Sequence, residues 1–183
     1  MNVKCSAYVA TSVDGFIAGP GGDIGWLLRP EYDTADMNGL GYDDFIATVD
    51  AIVMGRNTFD TVRAMGYWDY RGLPVVVLTS RGFQIPPDLA PTVHTDAGAP
   101  ADVVARLAAR GKRHLYVDGG QTIQRFLRAG LLNELTITRV PLLLGSGISL
   151  FGELGAEIPL RLIAATPSDN GFVQERYAVG ARG

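Results

Sequence analysis

The sequence predicts an α/β fold: a mixed, mostly parallel sheet flanked by helices, with antiparallel strands at its C-terminal end. Three observations lead there. Apolar strand segments alternate with segments of helical period through residue 130, the signature of parallel strands joined by helical crossovers. Beyond residue 130 strands follow one another with no helix between them, which calls for antiparallel pairing. Two of the apolar strands, far apart in the chain, run into one shared local plan, a glycine followed by the polar start of a helix.

Residues 3–10 alternate polar and apolar side chains and predict a first strand, after which 11–25 is a glycine-rich loop ending at Trp26. Phe45, Ile46 and Val49 fall at helical spacing within 42–49, and Ala51-Ile52-Val53-Met54 reads as a short buried strand that Gly55 ends. Residues 57–65 predict a helix with Asn57 or Thr58 as N-cap and with Phe59 and Val62 on its inner face. An aromatic loop at 67–70 precedes the apolar run 74–78, the pattern of a strand covered on both faces, and the proline-flanked segment 84–91 is a surface loop. A short strand is expected at 92–95. Residues 101–110 place Val103, Val104, Leu107 and Ala108 on one helical face, closed by Gly111. A further buried strand at 114–117 leads to a helix at 122–129, with Ile123, Phe126 and Leu127 inward and Gly130 as its stop. The last strands are 135–144, 160–165 and 172–179. No linker, repeat or low-complexity segment divides the chain, so 1–183 is expected to form one domain, burying about 70% of the surface its unfolded chain exposes.

The formal charge of −3 and the lack of a Lys/Arg run speak against a nucleic-acid groove or a lipid-surface patch and leave a small molecule as the expected partner. Cys5 is the only cysteine, which excludes an intrachain disulfide and a cysteine-rich zinc site; the thiol is expected to be buried and structural. His94 and His114 are too isolated for a metal pair, so structural roles and no metal are expected. The first ten residues lack the basic start and apolar stretch of a signal peptide, and the densest apolar run, 140–144, is interrupted by Pro141 and too short to span a bilayer. A cytoplasmic location is expected.

Gly145-Ser146-Gly147 imitates the opening of a Rossmann fingerprint but lacks the third glycine and the following apolar helix. The chemistry lies in two other strings, Val53-Met54-Gly55-Arg56-Asn57-Thr58-Phe59 and Tyr116-Val117-Asp118-Gly119-Gly120-Gln121-Thr122. In each, unpaired N–H groups and the positive end of a helix dipole follow a buried strand, with glycine allowing an anion close to the backbone. One such site is a capped turn; two fit the diphosphate bridge of a dinucleotide. Arg56 and Arg81 sit just beyond two strand ends and suit an additional 2′-phosphate.

Taken with Ser12-Val13-Asp14-Gly15-Phe16-Ile17-Ala18, Val77-Leu78-Thr79-Ser80-Arg81 and the late segment Leu144-Gly145-Ser146-Gly147-Ile148-Ser149-Leu150-Phe151, these strings resemble the dihydrofolate reductase superfamily. The closer likeness is to its riboflavin-biosynthesis reductase branch, and it runs in order through nearly the whole chain. The resemblance implies a dihydrofolate-reductase-like fold and an NADPH-dependent oxidoreductase that passes a hydride to a small heterocycle, as 5-amino-6-(5-phosphoribosylamino)uracil reductase does. It implies that Arg56 and Arg81 flank the 2′-phosphate of NADPH, that Thr58 and the Gly119-Gly120-Gln121-Thr122 turn hold the pyrophosphate, and that Ala10 and Ile17 border the nicotinamide. Gly55, Asn57, Thr79, Ser80 and Asp118 complete the implied cofactor contacts. It also implies a cis Gly119–Gly120 peptide and a homodimer, for which strands 135–144 and 172–179 offer apolar surface that no later helix covers.

On the substrate side the chain departs from folate-reducing members, which carry a carboxylate on the first helix one turn before a phenylalanine; here that position is Gly41. Asp43 and Asp44 read as first-turn residues that complement the helix dipole. Asp14, Glu31 and Asp33 are the candidate catalytic residues, the last two if the loop after Trp26 folds inward, while Asp14 is otherwise an Asx-turn residue before Gly15 or a substrate contact. Trp26 is expected to wall or cover the substrate pocket, with Trp68 a weaker candidate for that position. Where no side chain supplies the proton, water does. Two other readings stay open, a true dihydrofolate reductase and a non-catalytic NADPH-binding module.

Overall fold

The strands β3 (Ala51–Gly55), β4 (Val75–Leu78) and β6 (His114–Asp118) show how the sequence builds the sheet. Their side chains are apolar at every interior position, and alternate ones enter different cores. Ala51, Val53, Val76, Leu78, Leu115 and Val117 face one side of the sheet. Ile52, Met54, Val75, Val77 and Tyr116 face the other. A strand buried on both faces needs helices above and below it. The first side is covered by α3 (Pro100–Ala109) and α4 (Gly120–Arg128) through Val103, Leu107, Ile123, Phe126 and Leu127. The second is covered by α1 (Tyr42–Ile46) and α2 (Arg56–Ala64) through Phe45, Ile46 and Phe59. This computed structural model describes residues 3–32, 38–66, 68 and 70–180.

The main sheet has eight strands in the order β5-β4-β3-β6-β1-β7-β10-β9, with β1 at Lys4–Ser12, β5 at Val93–Asp96, β7 at Glu134–Val140, β9 at Leu160–Pro167 and β10 at Val173–Val179. From β5 to β7 every neighbour is parallel, and β10 then pairs antiparallel with both β7 and β9. This is the predicted mixed sheet with an antiparallel end. No helix of the described residues is long and apolar enough to cross a membrane.

Four local expectations need correction. Gly55, in extended conformation, is the N-cap of α2 in place of Asn57 or Thr58, and neither Gly55 nor the N-cap of α4, Gly119, is joined by a side-chain cap. The strand expected at 135–144 stops at Val140, because Pro141 follows and Leu142 turns its N–H back to the Val140 carbonyl at 2.8 Å. The loop expected at 11–25 contains β2 (Phe16–Ala18), which pairs antiparallel with β8 (Ile148–Ser149) as a two-stranded flap. The Gly119–Gly120 peptide is trans, and a φ of +87° at Gly119 makes the turn instead.

Gln174 on β10 is 2% exposed, and it fastens the chain ahead of α1 to the sheet. Its Oε1 accepts the Leu40 N–H at 2.7 Å, while its Nε2 donates to the Leu40 carbonyl at 3.0 Å and to the Tyr8 hydroxyl at 3.3 Å. Gly39 passes so close that a Cβ there would strike this amide. Tyr8 is held by the arrangement, donating its own hydroxyl to Leu40 at 2.9 Å and stacking on Phe45 with ring centroids 5.0 Å apart. We expect Gln174→Leu to cost about 1–3 kcal/mol for each buried group it leaves unpaired. The check is a lowered urea midpoint with an unchanged slope; an unaltered midpoint would mean that the amide fastens nothing.

Candidate functional site

The carboxyl ends of β3 and β6 lie side by side, with Met54 opposite Asp118 in register, so α2 and α4 begin next to each other. Their first N–H groups have no side-chain cap and face a common space. Gly119 makes the approach possible: at φ +87° it sits against Thr58, and a Cβ would drive into the Thr58 hydroxyl. Ligands of open α/β sheets gather at such strand ends.

A cleft of about 970 Å³ opens at this point. It is lined by Ala10, Ile17, Gly55, Arg56, Asn57, Thr58, Thr79, Ser80, Arg81, Asp118, Gly119, Gly120, Gln121 and Thr122, every residue expected on the cofactor side. The two arginines differ in state. Arg56 donates from Nε to both carboxylate oxygens of Asp60, at 2.9 and 2.7 Å, and lies 4.3 Å over the Phe83 ring. Arg81 is exposed, and among the described residues its guanidinium has no hydrogen-bond or ion-pair partner.

Sequence reasoning missed Tyr8, Leu27, Thr61, Val62, Met65 and Arg125, which also line the cleft. Arg125 was legible in principle, since it lies four residues after Gln121 on one face of α4. Its guanidinium donates to the Gly98 carbonyl at 2.7 Å. The others come from elements that only tertiary packing places over the strand ends.

The candidates on the substrate side are placed elsewhere. Asp14 does not line the cleft; its carboxylate accepts the Ser12 hydroxyl at 2.6 Å, the Leu144 N–H at 3.1 Å and the Gly145 N–H at 2.8 Å. The Ser12 hydrogen bond, with those N–H groups, holds its carboxyl below the ordinary range. Asp14 therefore pins the turn that leads into β8. Trp26 is 5% exposed and packs with Val140 and Phe172 in a core of its own, because the turn Gly25–Leu28 aims Leu27 and not Trp26 at the cleft. Glu31 lies in the turn Pro30–Tyr32, and its side chain and the whole of Asp33 lie outside the described residues. Trp68 packs against Phe59 and Tyr70 at centroid distances of 5.4 and 4.8 Å, as core. His114 is held between the Ser6 hydroxyl at 2.8 Å and the Thr48 carbonyl at 2.9 Å, and His94 is exposed. Burial pushes the Cys5 thiol up to about 12, leaving it unreactive.

Asp118 is the only carboxylate among the described residues of the cleft. Burial raises its carboxyl to about 6, although the Gly119 N–H and the hydroxyls of Tyr116 and Tyr70 favour the charged form. A carboxyl inside a cleft that gives up its proton only around pH 6 is a candidate acid.

The family model described as the RibD C-terminal domain matches residues 4–174. The uncharacterized protein YwjB of Bacillus subtilis (strain 168) is 35% identical over 167 residues, covering 88% of this chain and 90% of that protein. The "Putative riboflavin biosynthesis protein" of Shewanella sp. PV-4 has a crystal structure that superposes with a TM-score of 0.89 at 36% identity, covering 98% of this chain and 99% of that one. A dihydrofolate reductase from Enterococcus faecalis, solved with NADP(H) and RAB-propyl, shares the fold at a TM-score of 0.65 and 17% identity, with 97% of each chain covered.

The raised Asp118 carboxyl has a consequence for stability. The folded protein holds this proton up to about pH 6, against an ordinary value of 3.8, so stability falls as pH rises between those values. Asp118→Asn carries no such charge. The thermal midpoint of the wild type relative to that variant is expected to drop from about pH 4 to about pH 6 and then level off. A difference that does not change with pH would show that the carboxyl titrates normally.

Proposed function

The chain belongs to the RibD C-terminal domain family, and from that premise we propose that it is an NADPH-dependent reductase delivering a hydride to a small heterocycle, in the manner of 5-amino-6-(5-phosphoribosylamino)uracil reductase. The observation that carries this reading is the meeting of two uncapped helix starts in one cleft, with an unpaired arginine beyond them. Those residues fit the cofactor. Glycine at 119 lets Thr58 close in, so that both helix starts front one space, and the cationic end suits a 2′-phosphate.

When bound, NADPH supplies the hydride. The chain's residues do the rest. Thr58 and the N–H groups of the Gly119–Thr122 turn hold the pyrophosphate, and Arg81, with Thr79 and Ser80, meets the 2′-phosphate. Ala10 and Ile17 wall the nicotinamide, and the β2–β8 flap that carries Ile17 keeps water from it. Asp118 holds a proton on its carboxyl up to about pH 6 and passes it to the ring nitrogen that becomes basic on reduction, directly or through a water.

The wild type is expected to consume NADPH in the presence of a suitable heterocycle and to bind NADPH in preference to NADH. Arg81→Ala is expected to lose about 1.5–3 kcal/mol of NADPH binding, roughly 10- to 150-fold, with NADH binding unchanged. Arg56→Ala should lose less, since its guanidinium is already engaged by Asp60. Titration of both cofactors decides this, and equal affinities in the wild type would remove the arginine argument.

We further propose that two copies associate through the C-terminal edge of the sheet. β9 is the last strand in the order, and it leaves Leu160, Leu162 and Ile163 at 43%, 53% and 42% exposure. An apolar edge of that kind is a template for pairing. Sedimentation is expected to show a dimer that Leu162→Lys converts to a monomer; a wild-type monomer at micromolar concentration would contradict it.

A further inference from the structure

One of the groups lining the cleft is itself an acid, and it stands at a helix start. Met54 and Asp118 face each other in register, and the residue after each, Gly55 and Gly119, is the N-cap of a helix. Asp118 is therefore the last strand residue before the uncapped beginning of α4. It is half-buried, and its carboxylate accepts the Gly119 N–H, next to the N–H groups that front the cleft.

None of the groups that act on this carboxyl is a cation: they are the Gly119 N–H and the hydroxyls of Tyr116 and Tyr70. Tyr42, from α1, bears on the same two tyrosines, and Asp43 of α1 is paired with Arg71. On α2, Arg56 is held by Asp60, and on α4, Arg125 is held by the Gly98 carbonyl. Arg81 follows β4, which stands two places from β6 in the sheet. The carboxyl is nevertheless served in either state. Ionised, it accepts from Gly119 and Tyr70. With the Tyr116 proton turned to the Tyr8 carbonyl, at 3.0 Å, the Tyr116 oxygen is left to accept a proton from Asp118.

A like charge brought close to a half-buried carboxylate raises its hold on a proton. The diphosphate of a dinucleotide stays ionised across the neutral range, so the carboxyl is the group that yields. We propose that Asp118 takes up a proton as the cofactor's diphosphate settles on the two helix starts, one proton from solvent for each cofactor bound. The inference rests on the reductase reading above and adds a coupling to it: loading the cofactor readies the acid before the heterocycle arrives. Below about pH 6 the free protein already carries the proton, and binding needs none. Above that pH each cofactor must bring one in, so affinity falls by up to about tenfold per pH unit.

The experiment is a calorimetric titration of the wild type and of Asp118→Asn with NADP⁺ from about pH 5.5 to about pH 8.5, each point in two buffers of different ionisation enthalpy, which counts the protons taken up. The 2′-phosphate of NADP⁺ itself titrates near about pH 6, and the difference between the two proteins cancels it. At about pH 7 the wild type is expected to take up over about half a proton more than the variant. At about pH 8 it is expected to bind about tenfold more weakly than the variant, with the affinities converging toward about pH 5.5. A carboxyl that only shapes the turn requires the reverse, an asparagine variant that binds no better at any pH, and that result overturns the inference. If Asp118→Asn is unfolded by circular dichroism, Tyr70→Phe takes its place: loss of a hydroxyl that favours the carboxylate is expected to move the fall in affinity to higher pH, and no movement overturns the inference. NADP⁺ bound without extra proton uptake overturns the inference and keeps the reductase reading, whereas no binding of NADP⁺ at any pH overturns both.

Discussion

Two helices can start side by side only if nothing stands between them, and in this protein that condition falls on Gly119. The parallel register that sets Met54 beside Asp118 brings the beginnings of α2 and α4 to one place. The Thr58 side chain then occupies the volume where any residue other than glycine at 119 would carry its Cβ. Loss of that closeness would separate the two sets of unpaired N–H groups and leave each as an ordinary helix start. The floor of the cleft depends on this one contact.

The part of the cleft at the strand ends was legible in the sequence because it is built from local patterns. Strands β3, β4 and β6 are unbroken apolar runs, and the glycine and polar residues that follow each of them are contiguous in the chain. The rest of the cleft was not legible, for physical reasons that differ by residue. Asp118 reads as part of a glycine turn, and nothing in that string shows the burial that raises its carboxyl. Strands β2 and β8 have three and two residues, too few to display a period. Trp26 and Leu27 are neighbours in one turn, and nothing in their order says which would face Phe172 and which the cleft. The N-cap of α2 was misplaced because Asn57 and Thr58 are good capping residues, yet the extended backbone of Gly55 ends the strand and starts the helix in one step.

Asp14 shows how a residue with the look of a catalytic group can serve a site it does not line. It accepts hydrogen bonds from Ser12 in its own strand end and from Leu144 and Gly145 across the molecule. The Gly15 carbonyl next to it receives the Leu150 N–H at 2.9 Å, so the flap is tied on either side of β8. Ile17 and Ile148, one from each strand of the flap, both line the cleft. An exposed carboxylate is thus the fastening of an apolar wall.

The amide of Gln174 joins points 134 residues apart in the chain. Such a contact cannot form until the last strand has found its place, and closing so long a loop is entropically slow compared with pairing neighbours. The half of the cleft at the two helix starts needs only the segment from β3 to α4, whereas the segment before α1 and the Tyr8 ring wait for β10. During synthesis, therefore, the two halves mature in sequence: a nascent chain that has emerged as far as α4 already contains both helix starts, and the part around Leu40 and Tyr8 takes shape only as the final strand leaves the ribosome.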